Sequence, residues 1–223
     1  MLRALTTFDA LERIKAFNIR YVNDWSVWLR ASQGCDFRAT STPISVAIEF
    51  KRIMGKWQAC RPKVLRSASE LQRTLDSATE PLRRVGSANL RCFQAPSEVL
   101  TDAMCGLWRI FEGGLCLKGK ATEVGVSKAI LLVTKGRIGP AFDSNVKARL
   151  NALYVRDCKT YMKALGEIAS ELAAFEAREL TTLDGLAQQA GRPADVGRAV
   201  DMVLGPRRRE NSVKSTLAST QLP

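Results

Sequence analysis

Residues 123–146 read EVGVSKAILLVTKGRIGPAFDSNV and are the most informative part of the chain. They contain an apolar run over residues 124–134, a turn rich in glycine and proline over residues 135–140, and Asp143 directly before another helical pattern. Aspartate is favoured at a helix N-cap, where its carboxylate accepts hydrogen bonds from unpaired amides of the first turn. The stretch therefore predicts a short apolar segment, a turn, and a helix that begins after Asp143.

Helical periodicity continues on both sides of this stretch. The predicted helices cover residues 8–22, 44–57, 62–78, 97–114, 144–180 and 195–204. Gly166 is a candidate break within the fifth of them, and no run of alternating polar and apolar residues indicates a strand. The sequence predicts an all-α fold with one helical domain over residues 1–205 and a candidate subdomain break near residues 81–96. We expect residues 206–223, which are polar and basic, to form a disordered tail.

Histidine is absent from the chain, and its absence excludes several kinds of site. Ser-His-Asp catalysis, Cys-His catalysis and histidine-ligated metal centres all need that side chain. The six cysteines form no C-x-x-C pair, so neither a structural zinc site nor a dithiol redox motif has sequence support. We therefore expect no metal and no organic cofactor, and we interpret the cysteines as small buried apolar residues.

The apolar runs of the chain are short. The longest covers residues 129–133, and the first fifteen residues alternate charged and apolar side chains. A membrane-spanning helix needs about 20 apolar residues, and a signal peptide needs an uninterrupted apolar region. We expect a cytoplasmic protein with reduced cysteines and no membrane partner.

The chain is basic, with 34 Lys and Arg against 22 Asp and Glu and a formal net charge of +12. The excess is concentrated between Lys118 and Arg149, where seven basic residues accompany two acidic ones. This stretch fits a phosphate-binding surface, because each neutralised phosphate releases counterions. A solvated charged face is the alternative interpretation. The run Arg207–Arg209 in the tail has the same two interpretations.

Residues 123–130 and 136–146 resemble the core signature of the helix-hairpin-helix DNA glycosylase superfamily. That signature combines a glycine-valine-glycine turn, a short helix that opens with lysine and small residues, a loop containing proline, and an aspartate at the start of the next helix. Residues 198–204 are similar to the closing helix of such proteins. The resemblance implies a helix-hairpin-helix glycosylase-like fold and DNA as the partner.

The resemblance also implies roles for particular residues. Asp143 would be the catalytic carboxylate, which stabilises positive charge on the sugar or activates water as the base departs. Lys128 falls at the position of the lysine that attacks the sugar carbon in bifunctional members. The backbone amides of residues 124–127 would bind a DNA phosphate at a helix N-terminus. The candidate DNA-binding residues are Lys118, Lys120, Val124, Gly125, Val126, Ser127, Lys135, Arg137 and Asn145.

Each of these roles has a structural alternative. Asp143 would act only as a helix cap, and Lys128 would be a surface lysine. Trp108, Phe111 and Phe142 would belong to the core rather than to a pocket for an extruded base. Two functions stay open: a DNA-binding protein that excises a modified or damaged base, and a noncatalytic DNA- or protein-binding accessory or regulatory protein on the same fold. The oligomeric state also stays open.

Overall fold

The computed structural model describes residues 2–20, 26, 28–30, 34–39, 41–60, 64–151 and 154–205. Its α-helices are α1 (Thr7–Arg20), α2 (Ile44–Lys56), α3 (Ala68–Val85), α4 (Glu98–Gly114), α5 (Glu123–Val133), α6 (Ser144–Leu150), α7 (Cys158–Glu179), α8 (Leu183–Gln189) and α9 (Val196–Leu204). Short 3₁₀ turns cover Leu2–Ala4 and Leu90–Gln94. Within the described residues there is no strand, and a single bridge joins Leu65 to Cys116. The predicted all-α fold class is confirmed.

Most predicted helices are present, and two of them have different limits. The helix predicted over residues 62–78 begins at Ala68, because Ser67 and Glu70 form a capping box, and it continues through Pro81 to Val85. The pattern over residues 144–180 is interrupted between Leu150 and Cys158, whereas α7 runs through Gly166 without a break.

The interruption between α6 and α7 has a local cause. Asn151 adopts a left-handed conformation with a φ of 53° and ends α6, and Asp157 caps the start of α7. The predictions for Arg207–Arg209 and for the tail over residues 206–223 lie outside the described residues.

Helix α5 lies at the centre of the fold. Val126 and all residues from Ala129 to Val133 are buried, so the second half of the helix is apolar on all sides, whereas Glu123 and Lys128 lie in its first half. Helix α4 contacts α5, α3 and α7, and α2 contacts α3 and α5. Helix α9 contacts α1, α8 and α6. The loop between α5 and α6 therefore lies against α9, and this arrangement places Asp143. No helix in the described part of the chain is long and apolar enough to cross a bilayer.

Two cysteines form a disulfide, contrary to the expectation that all six are reduced. Cys105 of α4 is bonded to Cys158, the first residue of α7, at a sequence separation of 53. Cys35, Cys60 and Cys116 are buried and lie outside the disulfide, as the sequence predicts for buried cysteines, whereas Cys92 is exposed. The pairing depends on how α4 and α7 pack, and the spacing of the cysteines along the chain does not reveal it.

Candidate functional site

A cavity of about 270 Å³ lies where α5, α6 and α9 meet the C-terminal end of α2, and we call it the cleft. Its charged lining residues are Lys56, Lys128, Asp143, Arg198 and Asp201. Its other lining residues are Phe17, Trp57, Gln58, Leu131, Ala141, Asn145 and Gly205. Three predicted site residues, Lys128, Asp143 and Asn145, therefore share one cleft although they come from two different parts of the chain.

Asp143 caps α6 and also lines the cleft. Its Oδ1 atom accepts hydrogen bonds from the amides of Asn145 at 2.9 Å and Val146 at 3.0 Å. The predicted N-cap is thereby confirmed. No described residue donates a hydrogen bond to Oδ2, and the side chain is half-buried. One carboxylate oxygen thus holds the helix, and the other is available to a molecule in the cleft.

Lys128 lies on the cleft-facing side of α5. Its Nζ atom donates a hydrogen bond of 2.6 Å to the backbone carbonyl of Trp57, in the turn that follows α2. This contact holds the ammonium group at the wall of the cleft. Lys128 is therefore half-buried and fixed, rather than a mobile surface lysine.

The first turn of α5 does not present the amides that the resemblance implies. The Gly125 amide donates to the Thr122 hydroxyl at 3.3 Å, and the Val126 amide donates to the Thr122 carbonyl. Gly125, Val126 and Ser127 are buried, whereas Val124 is half-buried. The helix cap and the core enclose Gly125, Val126 and Ser127 in this structure, and the binding of a DNA phosphate by these amides stays a prediction.

The hydroxyl group of Ser127 makes its hydrogen bonds within the protein. Its hydroxyl donates to the Val124 carbonyl at 3.2 Å and accepts a hydrogen bond of 2.9 Å from the amide of Phe142. The side chain has no solvent exposure. Ser127 therefore binds the loop that leads to Asp143, and it does not face a ligand outside the protein.

A carboxylate already lies at the N-terminus of α5. Glu123, in the first turn, pairs with Lys147 of α6, whose side chain is almost fully buried. Burial alone would raise the pKa of Glu123, but the hydrogen bond from Lys147 and the charges of Lys147 and Arg156 hold that pKa below its ordinary value. The negative charge of Glu123 in the first turn interacts favourably with the positive end of the α5 dipole.

The remaining basic candidates lie away from the cleft. Lys118 is exposed, and Lys120 forms a 2.9 Å ion pair with Glu112 of α4. Lys135 is exposed in the turn after α5, with a φ of 53°. None of the three is among the residues that line the cleft.

Arg137 is used within the protein. Its Nη1 atom donates to the carbonyls of Gly86 at 2.5 Å and Ala88 at 3.1 Å, and its Nε atom donates to the Thr134 carbonyl at 3.1 Å. Burial lowers the pKa of its guanidinium, and the charge of Arg38 acts in the same direction. Arg137 thereby joins the turn after α5 to the end of α3, and its contact with DNA stays a prediction.

Arg198 and Asp201 of α9 are cleft residues that the sequence prediction missed. They form a buried ion pair, with Nη1 of Arg198 2.5 Å from Oδ2 of Asp201. The guanidinium carbon lies 5.0–5.5 Å from the ring centroids of Phe17, Trp28 and Trp57. The sequence feature that could have identified them is an arginine and an aspartate three residues apart on one predicted helix.

The aromatic residues divide between the core and the cleft. Trp108, Phe111 and Phe142 are buried, and Trp108 and Phe142 pack on Tyr161, so the core interpretation of these three is correct. Trp57 instead lines the cleft, with its ring stacked on Trp28 at a centroid distance of 6.0 Å. Comparison of the chain with protein-family models, with curated proteins and with solved structures finds no match.

Proposed function

We propose that this protein binds DNA and excises a modified or damaged base that is extruded into the cleft. The observation that carries the proposal is the shared position of Lys128 and Asp143 in one cleft beside Trp57. Enzymes that act on a base in a duplex extrude it and hold it between aromatic or apolar side chains. Trp57, Phe17 and Leu131 supply such surface around the two charged groups.

In this proposal Asp143 retains its cap and acts through Oδ2. As the N-glycosidic bond breaks, the bonding electron pair leaves with the base, and positive charge develops on the sugar. The Asp143 carboxylate stabilises that charge, and it accepts a proton from the water molecule that attacks the sugar carbon. The departing base takes up a proton in turn.

Lys128 is assigned to the DNA backbone rather than to nucleophilic attack. A nucleophilic lysine must lose its proton, and Nζ would also have to leave the Trp57 carbonyl to which it donates. An ammonium group fixed at the cleft wall can instead neutralise the phosphate that flanks an extruded nucleotide. Lys56, exposed at the end of α2, adds a second positive charge to the same cleft.

A noncatalytic accessory protein on the same fold is the second candidate. One observation favours it: Asp143 and Lys128 both make contacts that stabilise the fold, through the α6 cap and the Trp57 carbonyl. In that case the cleft would bind a ligand without changing it.

Base release from duplexes that carry a single uracil, oxidised base or alkylated base tests the proposal, with alkali-sensitive strand breaks as the readout. Asparagine caps helices about as well as aspartate, so D143N retains the α6 cap and removes the charge. D157N, at the cap of α7, is the matched control. We expect release by the wild type and by D157N, and a loss of about 100-fold or more in D143N.

Two results would contradict the catalytic proposal. Base release by D143N at the wild-type rate would exclude the carboxylate from the chemistry. Binding of these duplexes by the wild type without release of any base would favour the noncatalytic candidate.

A further inference from the structure

We infer that Ser127 and Asp201 are positioning residues that hold the loop over residues 139–143 and thereby fix Asp143 at the cleft. The functional part of this inference rests on the proposed function, because it assumes that Asp143 acts on DNA. The structural part concerns the contacts of one loop, and it can be tested without any activity.

The two side chains bind consecutive amides of the loop. The amide of Ala141 donates to Oδ1 of Asp201 at 3.1 Å, and the amide of Phe142 donates to the hydroxyl of Ser127 at 2.9 Å. Ser127 belongs to α5 and Asp201 belongs to α9, so the loop is held from two sides. The next residue in the chain is Asp143, whose own amide donates to the Ala141 carbonyl at 2.9 Å.

Both acceptors are buried, so each loop amide depends on its own protein acceptor. Ser127 has no solvent exposure, and Asp201 is 7% exposed. A buried amide without an acceptor is costly, so the Ala141 and Phe142 amides favour the loop conformation in which both acceptors are reached. The position of Asp143 then follows from the positions of α5 and α9.

Arg198 orients the carboxylate of Asp201. Its Nη1 atom bonds to Oδ2 of Asp201, which leaves Oδ1 directed to the loop amide. The backbone amide of Arg198 donates to the Gly136 carbonyl, in the turn that precedes the loop. The ring contacts of the guanidinium with Trp28 and Trp57 join this ion pair to the aromatic side of the cleft.

The backbones of α9 and the loop are also in direct contact. A Cβ atom added at Gly197 would lie 2.6 Å from the Gly139 nitrogen, and one added at Gly139 would lie 3.0 Å from the Gly197 carbonyl oxygen. Glycine at both positions allows this approach. It brings the start of α9 close enough for Asp201, one turn later, to reach Ala141.

The variant S127A tests the inference, and T134A is its matched control. Thr134 is also a fully buried hydroxyl residue of the same chain segment, and its Oγ1 accepts the Ile138 amide at 3.3 Å, before the part of the loop that leads to Asp143. Both variants remove one buried hydroxyl group. Only S127A removes an acceptor next to Asp143.

Amide hydrogen exchange, measured by NMR, is the readout that does not depend on activity. In S127A we expect exchange at Phe142, and at the two amides that Asp143 caps, to accelerate about tenfold or more relative to α7. In T134A we expect these three amides to retain wild-type protection. Unchanged protection of these amides in S127A would overturn the inference.

The enzymatic readout separates positioning from stability. We expect S127A to lower the rate of base release at saturating DNA about tenfold while leaving the Kd for duplex within about twofold, because orientation affects the reacting geometry. T134A should leave both values unchanged. Equal losses of rate in the two variants would overturn the inference. If the wild type releases no base, the proposed function fails, and the exchange measurement still decides whether Ser127 holds the loop.

Discussion

At the scale of single residues, the pair formed by Glu123 and Lys147 determines the charge at the N-terminus of α5. Lys147 is almost fully buried, and its ammonium group bonds to the Glu123 carboxylate across the gap between α5 and α6. If the charge of one member is removed, the charge of the other loses its partner in surroundings that stabilise an unpaired charge poorly. The pair should therefore contribute to stability only while Glu123 is ionised.

The variant E123Q gives a prediction about pH. The pKa of Glu123 in the folded protein is lower than the ordinary value of 4.5, so the contribution of its charge to stability is complete above pH 4.5. That contribution is lost as the pH falls through the lower, folded-state pKa. We expect E123Q to be less stable than the wild type at pH 7, and the difference to shrink on acidification below pH 4.5.

Urea unfolding of both proteins at pH 7 and at successively lower pH measures this difference. E80Q, which changes an exposed carboxylate on α3, is the control and should show little difference from the wild type at any pH. A difference between E123Q and the wild type that does not change with pH would contradict the assignment.

Asp143 and Ser127 show why one site residue could be assigned from sequence and the other could not. Among the described residues, the side chain of Asp143 bonds only to the amides of Asn145 and Val146, so the cap could be predicted from the residues around it. The partner of Ser127 is the amide of Phe142, 15 residues away. That contact depends on the path of the loop and on the packing of α9, which a helical pattern does not specify.

At the scale of elements, α5 is positioned by a close approach to the turn that carries Trp57. A Cβ atom added at Gly125 would lie 2.7 Å from the backbone carbonyl oxygen of Ala59. The resemblance assigns Gly125 to a phosphate-binding turn, and the structure instead uses it for packing. Because the second half of α5 is apolar on all sides, periodicity could predict an apolar segment here but not which face meets α2.

The variant G125A should lower the free energy of unfolding by about 1–3 kcal/mol, because either α5 or the turn at Ala59 must move. G113A is the matched control within α4, where an added Cβ meets no atom within 4 Å. We expect G113A to be neutral or to stabilise the protein by up to about 1 kcal/mol. Chemical denaturation measures both values. A G125A protein as stable as G113A would show that the close approach is not a constraint.

At the scale of the whole molecule, the disulfide joins α4 to α7 and closes a large part of the chain. Cys105 and Cys158 are 53 residues apart, and the enclosed segment contains α5, α6 and the cleft loop. A cross-link of this kind stabilises a protein mainly by restricting the unfolded chain, typically by about 2–4 kcal/mol. It also constrains the segment that carries Lys128 and Asp143.

The double variant C105S/C158S should therefore be about 2–4 kcal/mol less stable than the oxidised wild type. A dithiol reductant should lower the stability of the wild type by a similar amount and leave the variant unchanged. Urea unfolding with and without the reductant measures both effects. Equal stability of the wild type in the two conditions would contradict a structural role for the disulfide.

The basic character of the chain is also distributed differently from the pattern in the sequence. The seven basic residues between Lys118 and Arg149 suggest one continuous surface. In the structure Lys120 and Lys147 form ion pairs, and Arg137 binds backbone carbonyls. The positive charge at the cleft comes from Lys128 of this stretch together with Lys56 and Arg198, which are distant from it in sequence.

The measurement that tests the central claim most directly is a salt titration of binding to a fluorescent DNA duplex. The wild type is compared with K56A/K128A, which removes two cleft lysines, and with K159A/K163A, which removes two lysines of α7 away from the cleft. We expect the affinity of the wild type to fall steeply with salt concentration. K56A/K128A should bind more weakly, and its slope of log K against log salt concentration should be shallower by about one for each phosphate that the variant no longer neutralises. K159A/K163A should bind like the wild type. Absence of binding at low salt, or equal binding by the two double variants, would contradict DNA recognition at this cleft.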